Sequence, residues 1–80
     1  INGQIHTMEV YLEGYHLVDT IQIGKKHRFI ARKNEFESTY LVMGGHVHAV
    51  DAHTVYYTNA RYPTLVHYLP QKYIVRTYRK

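Results

Sequence analysis

Period-two segments, in which apolar and polar side chains alternate, are what most limit the fold open to this chain. Period-two patterning puts successive side chains on opposite faces of an extended strand, and it cannot give a helix a single apolar stripe. Nine tyrosines among 80 residues reinforce the bias, since aromatic residues favour the half-buried surface of a sheet. There is no cysteine, so no disulfide braces the fold and no thiolate holds a zinc ion. The expectation is an all-β chain, 1–80 forming one domain. It would be a small barrel of SH3-like or OB-like kind, or a compact sandwich, with seven to eight short strands.

The alternation can be followed along the chain. Residues 6–12 read as a strand, the pair Glu13-Gly14 as a turn, and residues 17–23 as the returning strand of a hairpin, with Asp19 interrupting its apolar face. Residues 25–37 fit two patterns. A strand would end at the polar turn Lys33-Asn34-Glu35, whereas a short helix would align Phe29, Lys33 and Phe36; the strand is the reading adopted. Residues 39–43 form the next strand. The pair Gly44-Gly45 then suggests a tight turn or a bulge before an extended stretch over 46–50. Asp51-Ala52 turns the chain into a strand over 53–58, in which one of Tyr56 and Tyr57 must face inward and the other outward. Residues 59–63 read as a loop, because Pro63 bars a central strand. Residues 64–69 and 72–78 are the last two strands, parted by Pro70-Gln71.

The charge is uneven. The first twenty residues carry Glu9, Glu13 and Asp19 and no Lys or Arg. Lys25, Lys26, Arg28, Arg32 and Lys33 form one basic run; Lys72, Arg76, Arg79 and Lys80 form another, with Arg61 alone between them. The net charge of +4 is thus concentrated, and an anionic partner is the natural expectation. In the last segment, extended geometry puts Lys72, Ile74, Arg76, Tyr78 and Lys80 on one face. Tyr73, Val75, Thr77 and Arg79 fall on the other. Cations interleaved with flat rings suit a single-stranded nucleic acid, RNA or DNA, through phosphate pairing and base stacking. The expected nucleic-acid-binding residues are Lys25, Lys26, Arg28, Arg32, Lys72, Arg76, Tyr78 and Arg79. The alternative is a protein partner gripped through Tyr56, Arg61 and Tyr62, as in a viral, phage or secreted host-targeting factor.

Two further constellations bear on chemistry. His46 and His48, two apart on a strand, project together about 7 Å apart and would begin a metal site, with Asp51 or His53 to complete it. The string Gly45-His46-Val47-His48 resembles the Gly-His-X-His of metallophosphoesterases, but the Asp-X-His, Gly-Asp and Gly-Asn-His segments of that family have no counterpart here. No metal or cofactor is therefore assigned. The third reading is a metal-independent ribonuclease-type toxin, with His27, Arg28 and Glu35, or His67 and Arg76, as its acid–base groups. A binding module is the preferred role over an enzyme. No apolar run is long enough to span a membrane, and the absence of cysteine leans towards the cytoplasm. A chain starting at Ile1 rather than Met is expected to be a fragment or a processed product, from which an upstream signal could have been lost.

Overall fold

The computed structural model describes residues 12–32 and 34–80. Among these residues six strands make one antiparallel sheet: β1 His16–Val18, β2 Lys26–Arg32, β3 Tyr40–Val50, β4 Thr54–Thr58, β5 His67–Pro70 and β6 Ile74–Arg79. Their spatial order is β1-β6-β2-β3-β4-β5. The fold is all-β, as the alternation requires. β1 and β5 stand at the two ends of this order and are not paired with each other, so closure into a barrel is not part of the ladder among the described residues.

The core occupies one face of the sheet. Phe29, Ala31, Val47, Val55, Tyr57 and Leu69 are buried together, with Ile21, Met43, Val50 and Ile74 packed against them. Apart from Ile21, which lies between β1 and β2, these residues come from β2, β3, β4, β5 and β6, so the sheet must curl around its own inner face. The rings of Phe29 and Tyr57, two strands apart, approach to 6.3 Å between centroids. Flat neighbours in a sheet are spaced about 4.8 Å per strand, so curvature brings such side chains together. Complete burial of Phe29, Val47 and Val55 contributes about 1.5–3 kcal/mol each.

The segment open to two readings is a strand. In β2 the residues His27, Phe29 and Ala31 alternate inward and are buried, while Phe36, the end of the helical stripe, is 88 % exposed. A helix would have sacrificed that inward row. The polar turn follows at Asn34, whose side-chain oxygen accepts the Phe36 N–H at 2.9 Å.

Several expected boundaries move. The strand over 6–12 lies outside the described residues except for Leu12. Its return strand, expected over 17–23, is only the three residues of β1. Beyond Asp19 the chain leaves the ladder, because the Gln22 N–H is taken by the His27 ring at 3.2 Å and Gly24 turns with φ +89°. The Gly44-Gly45 pair is no turn: β3 runs through it unbroken. A Cβ on Gly44 would overlap the His27 carbonyl oxygen, and one on Gly45 the Thr58 carbonyl oxygen. Glycine is needed there for close approach of three backbones.

The irregularities sit elsewhere. A bulge between Val47 and Ala49 leaves His48 without a register partner in β4, and another opposite Ile30/Ala31 leaves Val75 unpaired in β6. That second bulge corrects the expected face of Ile74, which pairs with Ala31 and packs into the core instead of sharing the cationic face. The strand expected over 64–69 is β5, shorter and shifted, and Leu65 belongs to a turn through its N–H bond to the Tyr62 carbonyl at 3.1 Å. The segment 72–78 opens as a 3-10 turn, Gln71–Tyr73, before β6 begins. Gln71 fastens that turn to the β3–β4 connection: its N–H donates to the His53 carbonyl at 2.8 Å and its side-chain amide to the Asp51 carbonyl at 2.6 Å.

Candidate nucleic-acid interface

Antiparallel pairing joins the two basic runs. β2 and β6 are neighbours, with Arg28 opposite Tyr78 and Ile30 opposite Arg76. Residues paired across an antiparallel ladder share a face. On the other side of β2, His46, Gly44, Val42 and Tyr40 stand opposite Lys26, Arg28, Ile30 and Arg32. The outer face of the sheet therefore carries Lys26, Arg28, Arg32 and Arg76. No carboxylate stands among the ladder-paired residues of that face in the described part of the chain. Lys80 follows Tyr78 by two and joins the same end, its N–H donating to the Lys26 carbonyl at 3.0 Å.

Burial on this face follows from the same crowding. Ile30 is buried although it points away from the core cluster. Its neighbours are Arg28 and Arg32 along the strand and Val42 and Arg76 across it. Tyr78, expected to offer its ring to a ligand, is only 8 % exposed and lies within the fold. The rings that meet the cations are others. Tyr15, just beyond the Glu13-Gly14 turn, has the Arg28 guanidinium 5.4 Å and the Lys80 ammonium 5.7 Å from its centroid. Tyr73, in the 3-10 turn, has Arg32 at 6.0 Å and Lys72 at 5.2 Å. Both rings are half-exposed. Sequence reasoning gave Tyr15 no role, because it stands in a turn outside the alternation. It put Tyr73 on the face away from the cations, because extended geometry cannot foresee a 3-10 turn.

The remaining basic candidates are placed apart from this row. Lys25 precedes β2, and its carbonyl is engaged with the Val47 N–H and the His27 ring. Arg79 stands opposite His16 and His27, on the inner-facing side of β6. Lys33 lies outside the described residues. Arg61 lies in the 59–66 connection with its guanidinium 5.5 Å from the Tyr62 ring, and Tyr62 is 49 % exposed. Of the adjacent pair, Tyr57 is buried and Tyr56 half-buried, its hydroxyl donating to Asp51 at 3.2 Å.

The histidines of the described residues stand in separate settings rather than in one cluster. His27 is fully buried. Its Nδ1 donates to the Lys25 carbonyl at 2.9 Å and its Nε2 accepts from the Gln22 N–H, so both ring nitrogens are occupied. Burial, aided by the nearby Arg79 charge, holds its pKa below the ordinary imidazole value. Arg28 projects from the opposite face of the same strand, which takes apart the proposed His27–Arg28 pair. His67 stacks on Tyr57 at 5.2 Å and accepts from the Asn59 amide at 3.3 Å; β5 and β6 are separated by three strands, which takes apart His67 and Arg76. Burial also pushes the Tyr57 hydroxyl above its ordinary pKa. His46 and His48 do meet, stacked at 4.8 Å between centroids, with the His48 Nε2 hydrogen-bonded to the Thr58 hydroxyl at 2.7 Å. No third ligand joins them, and no group of three metal-ligating side chains occurs among the described residues. Among the described residues, no helix is long and apolar enough to cross a membrane. Compared with protein-family models, with curated proteins and with solved structures, the chain matches none of the three.

Proposed function

We propose that this protein is a non-enzymatic nucleic-acid-binding module, and that the outer face of β2 and β6 is its contact surface. The observation that carries the reading is the β2–β6 register, which joins cations from two distant stretches of sequence into one row without an intervening acid among the ladder-paired residues. A row of that kind attracts a phosphate backbone and releases its condensed counterions. Because Lys26, Arg28, Arg32 and Arg76 gather on this face, association is also steered towards it.

The second reading is protein docking at the far end of the sheet. It is favoured by the exposure of Tyr68 (73 %), Leu65 and Val66 beside Tyr62, on and before the end strand β5. One experiment separates the two. RNA and DNA oligomers are titrated against the protein at low and at raised salt, with the variants Arg28→Ala, Arg76→Ala and Tyr62→Ala. Nucleic-acid binding predicts steep salt dependence and weakening by each arginine substitution. The salt slope should fall by about 0.7 for every phosphate contact removed from a single strand. Tyr62→Ala should change nothing. Absence of binding at low salt overturns the reading, and loss confined to Tyr62→Ala transfers the role to the β5 end.

A further inference from the structure

We infer that Tyr15 and Tyr73 are base-stacking platforms, and that the ligand is an extended single strand lying along β2 rather than a duplex. The inference rests on the nucleic-acid reading above and deepens it. Three observations lead to it.

Each ring is half-exposed and paired with two cations, one from β2 and one from the C-terminal basic run: Arg28 and Lys80 at Tyr15, Arg32 and Lys72 at Tyr73. A base that takes the place of a cation over such a ring gains a stacking partner, and the displaced cation is left beside the phosphate, which is the combination a single strand needs. A duplex hides its base faces inside the stack and would meet only the cations.

The two points lie at opposite ends of the same strand. Arg28 and Arg32 are four residues apart on β2, so their Cα positions are separated by about 13 Å. Neighbouring stacked bases are separated by only about 3.4 Å. Bases on Tyr15 and Tyr73 are therefore not consecutive members of a stacked helix. The strand between them must be stretched, with its backbone passing Arg76, which stands opposite Ile30 midway between the two arginines.

The surface between the points suits such a path. Val42, opposite Ile30, is 50 % exposed and Tyr40, opposite Arg32, is half-exposed, so an unstacked base has apolar surface to lie on.

The test compares a single-stranded oligonucleotide with a hairpin duplex carrying the same number of phosphates, by fluorescence anisotropy. It uses the wild-type protein, Tyr15→Leu, Tyr73→Leu and the conservative Tyr15→Phe and Tyr73→Phe. Each leucine variant should weaken single-strand binding by roughly 5- to 150-fold, the range of one lost base–aromatic stack. The salt slope should stay unchanged, since no cation is removed. The phenylalanine variants should retain affinity, and duplex binding should be weak and indifferent to all four. Photocrosslinking of a 5-iodouracil-containing strand to the wild-type protein, mapped by mass spectrometry, gives a readout that needs no variant to fold, and the crosslinks should fall on Tyr15 and Tyr73. The inference is overturned if crosslinks appear at neither tyrosine, if the duplex binds as tightly as the single strand, or if both leucine variants bind normally while Arg76→Ala does not. That last outcome would leave the electrostatic reading standing and remove only the stacking; failure of every oligomer to bind would remove both.

Discussion

At the scale of single residues, His27 shows how a side chain that reads as chemical turns out to hold the structure. It ties the chain before β2 to the strand itself, through Gln22 on one ring nitrogen and Lys25 on the other, and its ring stacks on Phe29 at 5.8 Å. Removing the ring leaves a cavity and the Gln22 N–H without its partner, while the Lys25 carbonyl keeps the Val47 N–H. His27→Ala should therefore cost about 2–4 kcal/mol, measured by denaturant unfolding. The pH dependence has a definite sign. The folded protein binds a proton at His27 less readily than the unfolded chain, whose imidazole has the ordinary value of 6.5. Stability from this residue is present above that value and is lost as pH falls below it towards the lower folded pKa. The melting temperature of the wild type should drop more between neutral and mildly acidic pH than that of His27→Gln. Equal drops would show that the buried ring does not control the acid limb. Asp51 is a smaller case of the same logic: its carboxylate accepts the N–H groups of His53 at 2.8 Å and Thr54 at 2.7 Å, and these bonds hold its pKa below the usual carboxylate value.

At the scale of elements, β3 is the strand on which the others depend, and its glycines are the point of greatest sensitivity. Gly45→Ala sets a methyl group against the backbone of β4, which cannot move without giving up its own ladder. The substitution should destabilise by about 3 kcal/mol or more, or prevent folding, whereas Gly24→Ala, with open space around it and only its positive φ to oppose a side chain, should cost about 1–2 kcal/mol. Comparable melting temperatures for the two variants would contradict this account. The same strand shows how far the sequence could be read. Alternation was legible wherever one face is buried, so β4 follows from the residues alone, whereas β2 was one of two readings of its segment and its inward row of His27, Phe29 and Ala31 came only with the structure. Gly44-Gly45 was misread because a glycine pair signals either freedom to turn or room for a neighbour, and only the crossing backbones decide. Ile74 was placed on the wrong face because one unpaired residue, Val75, reverses the parity of everything before it. The row of Arg28, Arg32 and Arg76 was foreseeable as two runs but not as one row, since strand order is set by long-range pairing. Tyr15 and Tyr73 were hidden because turns, not strands, bring them to the cations.

At the scale of the whole molecule, the sheet has two unlike sides: an inner face that carries the core, and an outer face that gathers arginines and lysines near β6 and apolar and aromatic residues near β5. The gathered charge has an energetic result for the unliganded protein. Guanidinium groups held on adjacent strands repel one another, and nothing of opposite sign lies among them on the described ladder. The bare protein should therefore melt at a higher temperature as sodium chloride is added, while its affinity for an oligonucleotide falls over the same range. A strand present at a hundred times its Kd should supply about 2.7 kcal/mol of its own. Thermal melts across a salt series, with and without the strand, would reveal the two opposed trends, and a melting temperature indifferent to salt would mean that the arginines do not strain the fold. The tension held in that cationic row makes the protein a latent sensor of its ionic surroundings, most relaxed when a polyanion or a concentrated electrolyte lies across it.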